Sequence, residues 1–326
     1  MEAAEPQLLV ALRPSDAIRS SLDRLLPEVP WGYLESTPPE HRGKVEVLLA
    51  GSLTREAVNY DPASTPELKF VQRSFTGVDG FPFERFPRSV EVAGNVGAFA
   101  PYVAEHAIAL ALASARDLPH AREMVRAGRL RPAPDQRLLN GATTVILGYG
   151  EIGRAIAGRL EGFGTHIVGL NRDGRNAPGA ERMFPAERLG DALAEGDLVF
   201  EARPLTRLTS GSIGAPELAR TRPNAVLVNI GRAATIDEEA LFRHLKDHPS
   251  FRAAIDVWWD EEFGDGVLRS RFPFADLPNF VGTPHCAGFA PNIEPVIFDR
   301  AAENVARYFR DGRPRYVVDR AEYEGA

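Results

Sequence analysis

Arg232, Glu261 and His285 have the side-chain types and positions that suit anion binding and proton transfer. Arg232 follows the apolar run Val-Leu-Val-Asn-Ile-Gly. Glu261 lies five residues past Asp256, in Asp-Val-Trp-Trp-Asp-Glu-Glu. His285 follows Phe-Val-Gly-Thr-Pro. Each stands just beyond a different segment that reads as a strand. A guanidinium grips a carboxylate through two parallel hydrogen bonds. An imidazole gives and takes a proton near neutral pH. A carboxylate beside it favours the imidazolium and fixes the ring. Taken singly, each has an ordinary structural use: Arg232 in a surface ion pair, Glu261 in an acidic loop with Asp260, Glu262 and Asp265, and His285 as a satisfied structural histidine. Pattern does not separate Glu261 from Glu262. Their equivalent positions at strand ends favour a shared site, because ligands bind outside the carboxyl ends of such strands.

The stretch from Thr143 to Asp173 supplies what that site would work with. Thr-Thr-Val-Ile-Leu reads as a buried strand. Gly148-Tyr149-Gly150-Glu151-Ile152-Gly153 follows. Gly148 permits a sharp turn, Gly150 lets backbone approach a pyrophosphate, and Gly153 lets a helix pack closely on the sheet. Ile152, Ala155, Ile156, Leu160 and Phe163 recur at helical spacing, and Ile167 to Leu170 reads as a second strand. A pyrophosphate would sit on the free N–H groups at the helix start. With a nicotinamide bound there, the three reactive residues suit hydride transfer to a 2-oxo acid. At the end of the second strand an NAD enzyme places Asp or Glu for the ribose hydroxyls. This chain has Asn171 and Arg172. An amide does not repel a 2′-phosphate and Arg172 can pair with one, so NADP is expected over NAD. The alternative is a one-residue shift in which Asp173 serves the ribose and Arg172 is solvated.

The remaining elements must position these groups. Short apolar runs at 8–12, 31–34, 45–50, 68–71 and 90–93 read as strands of a small parallel α/β unit. A helix after Pro14-Ser15-Asp16 presents Ile18, Leu22, Leu25 and Leu26, and another is expected from about Thr54. Gly94-Asn95-Val96-Gly97 is a hinge candidate. From Pro101 a long Ala- and Leu-rich helix is expected to be buried on nearly all sides. Residues 119–137 are basic, with Arg122, Arg126, Arg129, Arg131 and Arg137, and read as a solvated helix and loop or as an arm on a second subunit. Runs at 197–202, 225–230, 252–258 and 279–282, added to 143–147 and 166–170, predict a six-stranded doubly wound sheet. Residues 291–310 form an amphipathic helix with Val296, Phe298, Ala302, Val305 and Phe309 inward, after which Tyr316-Val317-Val318 adds an edge segment to the first unit.

The chain has 326 residues and a net charge of -7, enough for two domains and without a basic surface for nucleic acid. No apolar run approaches a membrane span and the N-terminus lacks the form of a signal peptide. One cysteine, Cys286, excludes an internal disulfide and a Cys-rich metal site. No metal, membrane or nucleic-acid partner is expected, and a cytoplasmic enzyme fits.

These residues resemble the D-isomer-specific 2-hydroxyacid dehydrogenases, of the glyoxylate/hydroxypyruvate reductase kind, from about Leu68 to Gly288. The matching segments are Gly148 to Gly153, Val228-Asn229-Ile230-Gly231-Arg232, Asp237-Glu238-Glu239-Ala240-Leu241 and Thr283-Pro284-His285-Cys286-Ala287-Gly288. The resemblance implies a Rossmann-type sheet in one domain, residues 97–289. It implies a smaller flavodoxin-like α/β domain from residues 1–96 plus 290–326. It implies that Arg232 binds the substrate carboxylate, that His285 is the general acid and base, and that Glu261 is its partner. Thr76 and Gly77 would offer N–H groups to the carboxylate. Ile230 and Asp256 would hold the carboxamide of the nicotinamide, and Arg203, Pro204 and Thr209 would line the cofactor beside Glu151 and Ile152. A small 2-oxo or 2-hydroxy acid substrate and a homodimer with residues 119–140 as an arm are also implied. The family commonly has proline where Glu262 stands and glycine where Ala233 stands. Trp258 reads as core, whereas Trp259 is a candidate for the pocket wall. The alternative function is a dinucleotide-sensing protein on the same fold, similar to the C-terminal-binding co-repressors, without turnover.

Overall fold

The computed structural model describes residues 5–51, 60–130, 136–262 and 267–324. The expected helix start at Thr54, Arg131 and Asp265 lie outside the described residues. Contacts divide the chain into two compact units, Met1–Phe99 with Ala290–Ala326, and Ala100–Phe289. Among the described residues no helix is long and apolar enough to cross a membrane.

The smaller unit is built on β1 (Leu8–Ala11), β2 (Trp31–Tyr33), β3 (Val47–Ala50), β4 (Phe70–Arg73) and β5 (Glu91–Ala93), in the order β2-β1-β3-β4-β5. Every pairing is parallel, and the order is that of flavodoxin-like sheets. Side chains alternate along each strand, so a parallel sheet buries both faces. Leu9, Leu48 and Val71 pack with Tyr60, Phe81, Phe83 and Phe86 on one face. Leu8, Val10, Leu49 and Phe70 pack on the other against Ile18 and Leu22 of α1 (Asp16–Leu25) and against the C-terminal helix Ile293–Asp311. Ser15 caps α1 by accepting from the Ile18 N–H at 3.3 Å. The inward stripe of the C-terminal helix is Ile297, Ala301, Ala302 and Val305. Val296, expected inward, is 40% exposed, because it stands one residue round the helix from that stripe. Val317 bridges Ala93 antiparallel, and the Val318 N–H donates to Val92 O at 2.9 Å, so the tail does extend the sheet edge.

The larger unit has seven parallel strands rather than six. They are β6 (Thr143–Leu147), β7 (His166–Asn171), β8 (Arg182–Pro185), β9 (Leu198–Glu201), β10 (Val226–Asn229), β11 (Arg252–Ile255) and β14 (Phe280–Gly282). The order β14-β11-β10-β9-β6-β7-β8 reverses at β6, as in doubly wound dinucleotide-binding sheets. The strand absent from the sequence-based expectation is β8. Its four residues, Arg-Met-Phe-Pro, show no β-branched alternation, and proline is tolerated there because β8 is an edge strand. A two-stranded antiparallel hairpin, β12 (Asp260–Glu262) with β13 (Val267–Arg269), was likewise not expected.

Helix α2 (Ala100–Ala115) packs on α4 (Glu151–Leu160) and on β10 and β11. It is not buried all round: Pro101, Glu105 and Ala109, spaced by one turn, stay exposed. Helix α3 (Leu118–Arg126) has no buried residue. On the other face α5 (Leu189–Glu195), α6 (Ala215–Leu218) and α7 (Glu238–Asp247) contribute Leu189, Leu193, Leu218, Leu241 and Leu245 to the core. Each such fully buried side chain contributes about 1.5–3 kcal/mol. Asp237 caps α7 by accepting from the Ala240 N–H at 2.7 Å.

His244 of α7 stacks on His248 at 4.2 Å between ring centroids and meets the Phe251 ring edge-on at 4.5 Å. Burial, helped by the neighbouring His248, lowers its pKa from 6.5 to about 4. Between those values the unfolded chain binds the proton and the folded chain does not. Stability from this group is therefore complete above pH 6.5 and is lost as pH falls toward 4. Denaturant midpoints measured across that range should fall on acidification, and His244→Gln should flatten the slope.

Candidate active site

The carboxyl ends of the strands are in register. Leu147 pairs with Glu201, Glu201 with Asn229, Asn229 with Ile255, and Ile255 with Gly282. The ladder continues into the loops: Asp256 N–H donates to Asn229 O at 3.0 Å, and Thr283 N–H to Ile255 O at 2.9 Å. Arg232, Asp256 and His285 thus leave one edge of one sheet from neighbouring strands, which stand about 4.8 Å apart.

His285 and Glu261 meet directly. The imidazole Nδ1 is 2.8 Å from both carboxylate oxygens of Glu261. An ionised carboxylate only accepts, so Nδ1 carries the proton. Glu261 Oε1 also accepts from the Trp258 N–H at 2.6 Å, and its strand is fixed by the hairpin, where Glu261 pairs with Leu268. Glu262 pairs with Val267 in the same hairpin. His285 itself has φ of 51°, in the left-handed region. For a residue with a Cβ that region costs about 1–2 kcal/mol.

What holds the His285 turn is Asp256, only 1% exposed. Its Oδ1 accepts from the Cys286 N–H and its Oδ2 from the Ala287 N–H, both at 2.9 Å. Oδ1 also accepts from the Thr283 hydroxyl at 2.6 Å. Trp258 closes the other side, its indole N–H donating to Thr283 O at 2.9 Å. The Trp259 indole N–H donates to Ile236 O at 2.8 Å, and its ring stacks on Phe274, so this side chain serves packing. His106, Asp256 and Cys286 bring their ligand atoms within 4.8 Å of one another. Asp256 already accepts from three N–H and O–H donors, and burial, with the Asp256 charge beside it, raises the pKa of the Cys286 thiol. By its own chemistry the trio is a hydrogen-bonded cluster.

Arg232 sits where the chain leaves β10. Asn229, 1% exposed, shapes that exit: its Oδ1 accepts from the Gly231 N–H and its Nδ2 donates to Arg232 O, both at 3.1 Å. Thr235 Oγ1 donates to the same carbonyl at 2.8 Å, and Arg232 Nη1 donates to Gly231 O at 2.9 Å. Ile230 is buried. Thr76 and Gly77 belong to the smaller unit, in the loop after β4, where Thr76 Oγ1 donates to Asn95 O at 3.2 Å.

The glycine loop has the form a dinucleotide requires. Gly148 has φ of +90°, and a Cβ there would lie 2.8 Å from the Ala202 and Arg203 backbone. A Cβ on Gly153 would lie 2.5 Å from Gly148 O, whereas one on Gly150 would meet nothing within 4 Å. Gly150 is the N-cap of α4 and no side chain caps the helix, so its first N–H groups remain available to a phosphate. Glu151 pairs with Arg154, and Ile152 is half-buried. Beyond β7, Asn171 Nδ2 donates to Arg175 O at 2.8 Å, Arg172 is exposed, and Asp173 pairs with Arg175 at 2.7 Å. Thr209 Oγ1 donates to Pro204 O at 2.6 Å and accepts from the Thr206 N–H at 2.9 Å, bracing that loop.

The Arg203 side chain folds back on Glu201. Its Nε and Nη2 and its backbone N–H all donate to that carboxylate, at 2.7–3.1 Å, with the side chains 8% and 0% exposed. Sequence reasoning missed Glu201, His106, Thr283 and the bracing role of Trp258. A charged residue inside an apolar strand, and a lone histidine in an Ala- and Leu-rich helix, were the available signals, since each needs a buried partner. Removing one member of a buried ion pair costs about 3–5 kcal/mol, whereas replacing both with apolar groups is often neutral. Chemical denaturation of Glu201→Leu should show a loss of that order, and Glu201→Leu/Arg203→Leu should recover most of it.

Residues 108–287 match the family model described as D-isomer specific 2-hydroxyacid dehydrogenase, NAD binding domain. A glyoxylate reductase of Pyrococcus furiosus is 31% identical over 268 residues, 79% of this chain and 77% of that protein. Among solved structures, a D-isomer specific 2-hydroxyacid dehydrogenase from Xanthobacter autotrophicus Py2, in complex with NADPH and MES, has a TM-score of 0.79 at 25% identity, covering 97% of this chain and 98% of that one. An NADPH-dependent glyoxylate/hydroxypyruvate reductase from Sinorhizobium meliloti, in complex with NADP and malonate, has a TM-score of 0.73 at 25% identity, with 98% of each chain covered.

Proposed function

Because the chain belongs to the D-isomer specific 2-hydroxyacid dehydrogenases, enzymes that transfer a hydride between NAD(P) and a small 2-oxo or 2-hydroxy acid, we propose that His285, Glu261 and Arg232 carry that reaction here. The Glu261–His285 pair is the observation that supports this most directly. Arg232 grips the substrate carboxylate and polarises the keto oxygen beside it. Thr76 and Gly77 add backbone N–H groups to that carboxylate, as the resemblance implies. When bound, the nicotinamide supplies or accepts the hydride. In reduction, His285 gives its Nε2 proton to the keto oxygen, and in oxidation it takes the hydroxyl proton. Glu261, accepting from Nδ1, fixes the tautomer and stabilises the imidazolium. Asp256 has one carboxylate lone pair beyond its three protein donors, and with Ile230 O it would hold the carboxamide.

NADP is the proposed cofactor. Asn171 and Arg172 stand where a carboxylate would repel a 2′-phosphate, and the relatives from X. autotrophicus and S. meliloti are complexes with NADPH and NADP. Glyoxylate and hydroxypyruvate are the first substrates to try, given the names of the relatives. A spectrophotometric panel of 2-oxo acids with NADPH and NADH tests the reading. Turnover should favour NADPH, His285→Asn should lower kcat about 10²- to 10⁴-fold, and Asn171→Asp should shift preference toward NADH. Cofactor binding without turnover on any member of the panel would leave the dinucleotide-sensing alternative.

A homodimer is proposed as well. Val125, Leu130 and Leu138, in and beyond α3, are 77%, 102% and 72% exposed, an apolar set that a second copy would cover. Light scattering should give twice the chain's mass, and Val125→Asp with Leu138→Asp should shift it toward the monomer.

A further inference from the structure

His106 is the polar member of an otherwise apolar face of α2, and its side chain is 23% exposed. Its Nε2 lies 3.0 Å from Thr283 Oγ1 and 3.5 Å from Asp256 Oδ1. Proton accounting fixes the direction. Thr283 has one hydroxyl proton, and it goes to Asp256, an acceptor only. The Thr283 oxygen is then an acceptor toward His106, whose Nε2 must carry a hydrogen. The hydrogen bonds therefore run from His106 to Thr283 to Asp256, and Asp256 in turn accepts from the two amides that follow His285. That carboxylate is what holds His285 at its positive φ.

We propose that His106 is a positioning residue for His285. It donates to Thr283, orients the Asp256 carboxylate under the Cys286 and Ala287 amides, and so aims the imidazole at Glu261. This rests on the catalytic role assigned to His285 above. Without His106, Thr283 is free to turn its hydroxyl away, Oδ1 of Asp256 loses a donor, and the left-handed turn loosens. The consequence falls on the geometry of proton transfer rather than on substrate affinity, because the contacts of His106 run to Thr283 and Asp256, which hold the His285 turn.

The full-length protein carries the test, as His106→Phe, His106→Gln, Thr283→Val and His106→Phe/Thr283→Val. Two quantities are read: steady-state kinetics with NADPH and the best 2-oxo acid, and the chemical shift of the His285 Nδ1–H proton by NMR, its signal assigned by loss in His285→Asn. His106→Phe should lower kcat about tenfold with KM for the acid within about twofold, the pattern of a loss felt only in the transition state. It should also move the Nδ1–H signal upfield, since a looser turn weakens its hydrogen bond to Glu261. His106→Gln, whose amide still donates, should recover most of both effects. The double variant should be no worse than the poorer single one, because both residues act through the same carboxylate. Wild-type kcat and Nδ1–H shift in His106→Phe, no recovery in His106→Gln, or additive losses would each overturn the proposal. If His106→Phe does not fold, Thr283→Val carries the same expectations. A wild-type protein that turns over no 2-oxo acid would sink the functional reading, and the Nδ1–H shift would still decide the positioning role.

Discussion

A histidine held at a positive φ stays there only if something outside its own backbone keeps it, and here that is the carboxylate of Asp256. The carboxylate follows β11 directly, the turn it holds follows β14, and those strands are neighbours in parallel register. The imidazole is therefore placed by the sheet, through one buried anion, rather than by a loop of its own. Glu261 approaches from a hairpin and Trp258 ties both partners, giving its backbone N–H to Glu261 and its indole N–H to Thr283 O. Sites built on rigid elements in this way keep their geometry without a ligand present.

The same edge of the sheet tolerates charges that most cores exclude. Glu201 ends β9 fully buried and is matched by Arg203 two residues on. The backbone at 202–203 is also where Gly148 and Gly231 come closest, with room for no side chain on either. A carboxylate and a guanidinium that lock this short segment also fix the wall against which the glycine loop turns. Arg252, at the other end of β11, is buried too, and it donates to Ser114 O at 2.5 Å at the end of α2.

Much of this was legible in the chain. Strands buried on both faces read as continuous apolar runs, and the glycine loop between β6 and α4 had a sequence context that few other structures share. Arg232, Glu261 and His285 could be singled out because each follows such a run. What stayed hidden was of two kinds. β8 was missed because an edge strand of four residues needs no apolar pattern. His106 and Thr283 were missed because they are remote in sequence, 177 residues apart, and Glu201 because it stands in an otherwise apolar run, although its partner Arg203 is only two residues on. A lone histidine in an Ala- and Leu-rich helix signals that a partner is needed, but nothing local says which one. Val296 erred for a simpler reason, a helical stripe displaced by one residue.

Cys286 shows what the Asp256 bracket does to a bystander. The chain's single thiol sits beside a histidine, a neighbour that in other settings activates sulfur. Here burial and the Asp256 charge favour the protonated form instead. Thiolate is the species that attacks peroxides and electrophiles, so a thiol kept protonated is slow to oxidise or alkylate. Burial, together with the carboxylate that organises the proton-transfer turn, thereby also makes the adjacent sulfur less reactive.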